Sequence, residues 1–319
     1  MNMWLSRHDL LKISLASLLS ALPRRVAAQA GGPLRVATDP FDSYAEPYYA
    51  ADLGLFKKAG LDVEIITLAN GGAITTAVAS GSADIGISNP AVLANAVAHG
   101  VPFTLIGGGG MYSTKAPTTV MCVAKNSALR AAKDLNGKII AVTGLKDILY
   151  AAAKAWLAQQ GASTSSIRFA ELTFSEMGPA LQRGTVDAAV IAEPALEAAL
   201  SRGEARIFAK VYDVVAPQFL IGVWFSTRDF VQRRPDLVKK FVETIYESGR
   251  WANKNQALSA VILDKYAKLP VETTKNMNRV VYADTLSAKL IQPMLDVAYK
   301  NGVLDRVVTY ADMISGGLQ

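Results

Sequence analysis

One phrase occurs twice in this chain in different words, and it constrains the fold more than any other feature. The first copy is Ala77-Val78-Ala79-Ser80-Gly81-Ser82-Ala83-Asp84-Ile85-Gly86. The second is Ala180-Leu181-Gln182-Arg183-Gly184-Thr185-Val186-Asp187-Ala188-Ala189. Each reads as a helix end, a turn glycine, a short polar step, an aspartate and a buried strand. A proline follows at each strand exit, in Asn89-Pro90 and Glu193-Pro194. The chain therefore carries two α/β units of similar build, and two such units facing each other leave a cleft suited to a small molecule.

The rest of the pattern agrees. Strands at 34–38, 61–68, 85–88 and 103–106 alternate with helices at 48–59, 73–80 and 91–99. Gly60 and Gly100 are placed to stop the helices before them. The four glycines 107–110 read as a flexible turn near a hinge. A second series follows, with strands at 118–125, 139–142 and 167–171, a helix at 148–160, and a returning strand at 220–226. The tail is mostly helical, with Val238, Phe241, Val242, Ile245 and Tyr246 along one apolar face. Strands separated by helices imply βαβ units and mixed, mostly parallel sheets.

Residues 1–30 read as a signal peptide. Arg7 and Lys12 form a basic start, an apolar stretch of about ten residues follows, and Ala28-Gln29-Ala30 is a small-x-small cleavage site. The apolar stretch is half the length of a membrane-spanning helix. Ser6-Arg7-His8 resembles a twin-arginine export motif with His8 in place of the second arginine, which leaves the export route open. The expected location is the periplasm. The net charge of +6 falls to +3 once the four cations and one acid of residues 1–30 are set aside. The remaining cations are scattered rather than striped, which argues against a nucleic-acid partner.

Composition and motifs also argue against catalysis. Cys122 is the only cysteine, so an intrachain disulfide or a paired-cysteine metal site is impossible. It sits in a buried-strand pattern, as a small hydrophobe. His99 is the only histidine after residue 30, at a helix end where it complements the dipole. There is no Gly-x-Ser-x-Gly elbow and no His-Glu-x-x-His. Glycines 107–110 lack the Gly-Lys-Ser/Thr ending of a phosphate loop. No enzyme, cofactor or metal is expected.

Several phrases, in order, carry a resemblance. They are Ala50-Ala51-Asp52-Leu53-Gly54-Leu55-Phe56-Lys57-Lys58-Ala59-Gly60-Leu61-Asp62-Val63, Ser80-Gly81-Ser82-Ala83-Asp84-Ile85-Gly86, Lys133-Asp134-Leu135-Asn136-Gly137-Lys138, Arg183-Gly184-Thr185-Val186-Asp187-Ala188 and Arg234-Pro235-Asp236-Leu237-Val238. Together they span nearly all of the chain after residue 30. The chain resembles the substrate-binding proteins of ABC importers in the NMT1/SsuA-like family, which includes sulfonate, taurine and thiamine-precursor binders. The resemblance implies a two-lobe, type II periplasmic binding protein fold, with a cleft between two βαβ lobes. Residues 32–115 and 222–319 would form one lobe and 116–221 the other. The crossings would fall near 113–118 and 217–223, with hinge closure absorbed there. It also implies a monomer that delivers its ligand to a permease with its ATPase. The family's thiamine-pyrimidine synthases are the enzymatic alternative, but they depend on histidine and a cysteine-rich segment that this chain lacks.

In open α/β sheets a ligand sits beyond the carboxyl ends of the strands. That rule selects Asp39, Phe41, Asp42 and Tyr44 after the first strand, Ser88 and Asn89 after the third, Thr143, Lys146 and Asp147 in the second unit, and Glu193 before Pro194. Trp224 on the returning strand is a candidate wall, with core packing as its plainer reading. Ser88 and Asp147 also suit helix N-caps. Where sulfonate binders resemble one another in a Gly-Ser-Ser-like step, this chain has Leu145-Lys146-Asp147. A carboxylate there occupies a helix N-terminus that otherwise attracts anions. The expected ligand is amine-bearing or heteroaromatic, resembling a thiamine pyrimidine. A sulfonate, taurine or other small organic anion is the alternative.

Overall fold

The computed structural model describes residues 32–268 and 271–314. The expected signal peptide lies outside the described residues. Thirteen strands appear in chain order: β1 (Leu34–Thr38), β2 (Val63–Thr67), β3 (Ile85–Ser88), β4 (Phe103–Gly108), β5 (Gly110–Ser113), β6 (Thr119–Ala124), β7 (Ile139–Val142), β8 (Arg168–Glu171), β9 (Ala188–Ala192), β10 (Ala205–Ala209), β11 (Gln218–Leu220), β12 (Val223–Thr227) and β13 (Val281–Tyr282). They form two five-stranded sheets, ordered β2-β1-β3-β12-β4 and β10-β6-β9-β7-β8, and a three-stranded sheet β11-β5-β13. The five-stranded sheets are the centres of two lobes. In each, two strand pairs are parallel and two antiparallel. The antiparallel pairs come from β12 in the first sheet and β6 in the second.

The repeated phrase does the same work in both sheets. Asp84, just before β3, accepts the Arg35 N–H at 2.9 Å, and its own N–H donates to the Arg35 carbonyl at 2.8 Å. Asp187, just before β9, accepts the Ile139 N–H at 2.9 Å and donates to the Ile139 carbonyl at 2.9 Å. Each aspartate thus hooks the entering strand onto its parallel neighbour. A basic side chain stands beside each, Arg35 at 2.7 Å and Lys138 at 3.4 Å.

Four expectations are corrected. Residues 48–59 do not form one helix. The helix Glu46–Asp52 ends, and Leu55–Lys58 restarts after Gly54, whose φ of 67° favours glycine. Residues 220–226 are not one strand. Gly222 separates β11 from β12, and the two lie in different sheets. Glycines 107–110 are not a flexible turn but a buried stretch where β4 passes into β5, and Gly108, Gly109 and Gly110 run so close to Thr285, Gly222 and Ser43 that a Cβ would collide. Helices also start earlier than periodicity suggests, at Gly71 and Pro90, since their caps are Asn70 and Asn89.

The core is largely one buried cluster. It includes Val36, Ile85 and Phe225 on the first sheet and Met121, Ile140 and Val190 on the second. A second cluster covers the other face of the second sheet, where Val120, Cys122, Ala189 and Ile191 alternate with residues of the first cluster. Burial pushes the Cys122 thiol up to about 12, which fits an inert core position. The connecting strands β5 and β11 pair antiparallel, and Tyr112, Tyr212 and Phe219 make mutual ring contacts at 5.2–5.5 Å beside them. No helix among the described residues is long and apolar enough to cross a membrane.

Candidate functional site

Four loops at the carboxyl ends of strands meet at one cleft. They follow β2, β3, β7 and β8, and each leads into a helix: Gly71–Ala79, Pro90–Ala98, Ile148–Gln159 and Phe174–Arg183. The capping residues Asn70, Asn89, Asp147 and Thr173 all line the cleft. Asn70 accepts the Ala73 N–H at 2.9 Å, Asn89 the Val92 N–H at 3.0 Å and Asp147 the Tyr150 N–H at 3.0 Å. At the fourth helix the Glu176 carboxylate accepts from the Thr173 N–H at 2.9 Å and its hydroxyl at 2.6 Å. Four helix N-termini, each carrying partial positive charge, therefore face one space.

The cleft has a narrow inner chamber and a wider mouth. The chamber, a narrow space of about 60 Å³, is walled by the rings of Phe41, Tyr44, Phe174 and Tyr212. Phe41, in the loop after β1, and Phe174, at the start of the helix after β8, meet edge-to-face at 4.7 Å between centroids. Ser43, Asn70, Asn89, Thr119 and Thr143 supply neutral polar groups. No charged side chain lines this chamber among the described residues. The mouth, a space of about 360 Å³, adds Lys146, Asp147 and Glu171. The space in the mouth lies in the range that holds small organic molecules.

Asp147 is the charged group closest in role to the chamber. Its second carboxylate oxygen accepts the Thr143 hydroxyl at 2.6 Å. Burial pushes its carboxyl up to about 6, against the pull of that hydroxyl and the helix N–H groups. It is an N-cap and a cleft residue together.

Phe41, Tyr44, Asn89, Thr143, Lys146 and Asp147, all expected from sequence, line the cleft. Five other expected residues are turned into protein instead. Asp42 is spent on a buried pair, with Arg279 donating at 2.8 and 2.9 Å and the Val280 N–H at 2.6 Å. The Ser88 hydroxyl donates to the Gly71 carbonyl at 3.1 Å, which ties one helix start to another. Glu193 accepts the Glu197 N–H at 2.9 Å and a backbone N–H from Asn278, and burial pushes it up to about 8. Asp39 is also buried and pushed up to about 8 by burial, beside Tyr44 and Tyr48. Trp224 is a core residue, and its indole N–H donates to Glu46 at 3.3 Å.

Sequence reasoning missed Asn70, Gly71, Phe174, Glu171 and Tyr212. The first four follow β2 and β8 or close β8, so the strand-exit rule applied to those strands would have found them. Thr173 and Glu176 also match the Ser/Thr-x-x-Glu capping pattern. Gly71 is required by packing, since a Cβ there would come 2.6 Å from the Ser88 hydroxyl oxygen. Tyr212 had no local signal.

Residues 43–257 match the family model described as NMT1/THI5 like. Over 217 residues the chain is 28% identical to the taurine-binding periplasmic protein of Escherichia coli, which covers 66% of this chain and 64% of that protein. Less than two thirds of that relative's length is thus spanned. Over 290 residues it is 27% identical to a Haemophilus influenzae protein provisionally assigned to thiamine biosynthesis, covering 84% of this chain and 87% of that one. Among solved structures it is similar to the alkanesulfonate-binding protein SsuA of Xanthomonas axonopodis bound to MOPS. That match has a TM-score of 0.76 at 22% identity, over 90% of this chain and 99% of the other. The architecture is that of the type II periplasmic binding proteins.

Proposed function

The chain belongs to the NMT1/THI5-like family, and we propose on that premise that it is the periplasmic solute-binding protein of an ABC importer. It captures a small, polar, amine-bearing or heteroaromatic solute between its lobes, and a thiamine-pyrimidine-like ring fits best. Residues 32–115 with 222–319 form one lobe and 116–221 the other, which strand membership in the two sheets supports. It acts as a monomer and hands its solute to a permease with its ATPase. The basic, apolar and small-x-small pattern of residues 1–30 supports export.

The observation that carries the ligand class is the lining of the chamber. Four aromatic rings and neutral polar groups suit a flat ring with hydrogen-bonding edges. Neither lysine nor arginine is among the described residues of that lining, and the adjoining acid Asp147 favours an amine. Taurine or another small sulfonate is the second reading. It is favoured by the side-chain-free helix start at Gly71 and Gly72, whose N–H groups make an anion site, and by the taurine-binding relative.

Thermal melting separates the two. Protein expressed from the full sequence is unfolded and refolded to strip carried-over solute, then melted against a metabolite panel. A solute at about a thousand times its dissociation constant adds about 4 kcal/mol of stability. Shifts from aminopyrimidines and other amines, with none from sulfonates, support the first reading. Shifts from sulfonates alone replace it with the second. Mass spectrometry of the released solute tests the enzymatic alternative, because a binding protein returns it unchanged.

A further inference from the structure

At the rim of the cleft and beyond it, two lysines of one lobe reach across to a single helix end on the other side. Lys154 lies on the helix Ile148–Gln159, whose N-terminus faces the cleft. Its ammonium donates to the Asn301 carbonyl at 3.0 Å. Lys146, just before the same helix, donates to the Gly302 carbonyl at 3.3 Å and stands 3.5 Å from Asp305. Asn301 and Gly302 close the helix Ala288–Lys300, which packs on Pro90–Ala98 and faces Ile148–Gln159. The last carbonyls of a helix lack intrahelical donors and carry the negative end of its dipole. Two ammonium groups meeting that end are therefore complementary to it.

The contact is prepared on both sides. Lys154 lies 5.0 Å from the centre of the Tyr150 ring, one turn back on its own helix, and Tyr150 is itself held edge-to-face by Phe169 at 4.7 Å. The ring supports the cation in place. On the other side the Asn301 amide donates to the Val297 carbonyl at 2.8 Å, which fixes the helix end. His99 also faces Asp305, at 3.7 Å.

We infer that Lys146 and Lys154 form a latch that holds the closed arrangement of the lobes independently of the solute. The inference rests on the reading that the lobes open and close about the β5–β11 connection. Neither lysine needs to touch the solute to matter. Each raises the population of the closed state, and solute affinity scales with that population. Half-exposed charged contacts of this kind shift an equilibrium about threefold each, so about tenfold together.

Small-angle scattering on the solute-free, refolded protein is the test, with no solute present. The wild type is expected to give the radius of gyration of the closed structure. Lys146→Met with Lys154→Met gives a larger radius, as does the wild type at about 1 M salt, where the Debye length shrinks to about 3 Å. Lys154→Arg keeps the wild-type value, since it still donates, and this separates the latch from mere loss of packing. Circular dichroism and melting establish that each variant is folded. A folded double variant with the wild-type radius overturns the latch, and so does a wild type that is already fully open. Failure to find any solute for the protein leaves this measurement untouched.

Discussion

At the scale of single residues the unusual feature is acid buried without compensating cations. Asp39 and Glu193 are pushed up to about 8 and Asp147 to about 6, each by burial. Glu46 is raised as well by burial, against the pull of the Trp224 indole N–H that donates to it. In the unfolded chain these carboxyls titrate near their ordinary values of about 4. Between pH ~4 and ~8 the folded protein therefore holds protons that the unfolded chain has released. Stability is greatest below that window and falls as pH rises through it. Asp147 alone accounts for about 3 kcal/mol of the change, at 1.36 kcal/mol per unit. Acids held low, such as Asp134 and Glu176, sit at exposed caps and titrate below the window, so they do not offset it. Melting temperature is expected to fall from pH 5 to pH 8.5, and Asp39→Asn is expected to flatten the slope. A melting temperature that climbs across this range contradicts the assignment of protonated buried acids.

Secondary-structure elements show what was readable locally and what was not. The two aspartate hooks were readable because each lies in a phrase with its own turn glycine and strand. The cap of Ile148–Gln159 was readable for the same reason, as Asp147 sits directly before its helix, whereas the cap of Pro90–Ala98 is Asn89 and not the expected Ser88, whose hydroxyl turns to the Gly71 carbonyl of a distant segment. Contacts between distant segments were not. Asp42 looked free for a ligand because its partner Arg279 lies 237 residues away. The glycines 107–110 looked mobile because the surfaces that press on them, Ser43, Gly222 and Thr285, belong to three other segments. That packing makes an unequal series. A Cβ at Gly108 overlaps the Thr285 backbone carbonyl, which cannot turn aside. One at Gly107 meets the Tyr246 hydroxyl at 3.3 Å, the far end of a side chain. Overpacking costs typically 1–3 kcal/mol, and more where backbone must move. Gly108→Ala is expected to lose at least about 3 kcal/mol in urea unfolding or to fail to fold. Gly107→Ala is expected to lose about 1 kcal/mol. Equal losses at the two positions mean that close approach is not what the glycines provide.

For the whole molecule, two lobes do not imply two folding units. The largest buried cluster takes in Val36 and Phe225 of the first sheet and Ile140 and Val190 of the second. The connection between the sheets is itself packed. Tyr112 of β5 touches Tyr212 and Phe219, and its hydroxyl donates to Asp213 at 2.6 Å. All three rings are nearly wholly buried, so opening the junction exposes aromatic surface. Either lobe unfolding alone would strip the other of that packing. The periodicity of the chain revealed the two α/β units but could not reveal this continuity, because it depends on β5 and β11 pairing across residues 111–220. Heat unfolding at low scan rate is therefore expected to be a single cooperative transition, with calorimetric and van't Hoff enthalpies in a ratio near one. Tyr112→Ala removes the shared ring, at a cost of about 3–5 kcal/mol for a buried aromatic, and is expected to lower the melting temperature and broaden the transition. Two resolved transitions in the wild type, each assignable to one sheet by hydrogen exchange, would show that the junction is only a tether and that the lobes fold on their own.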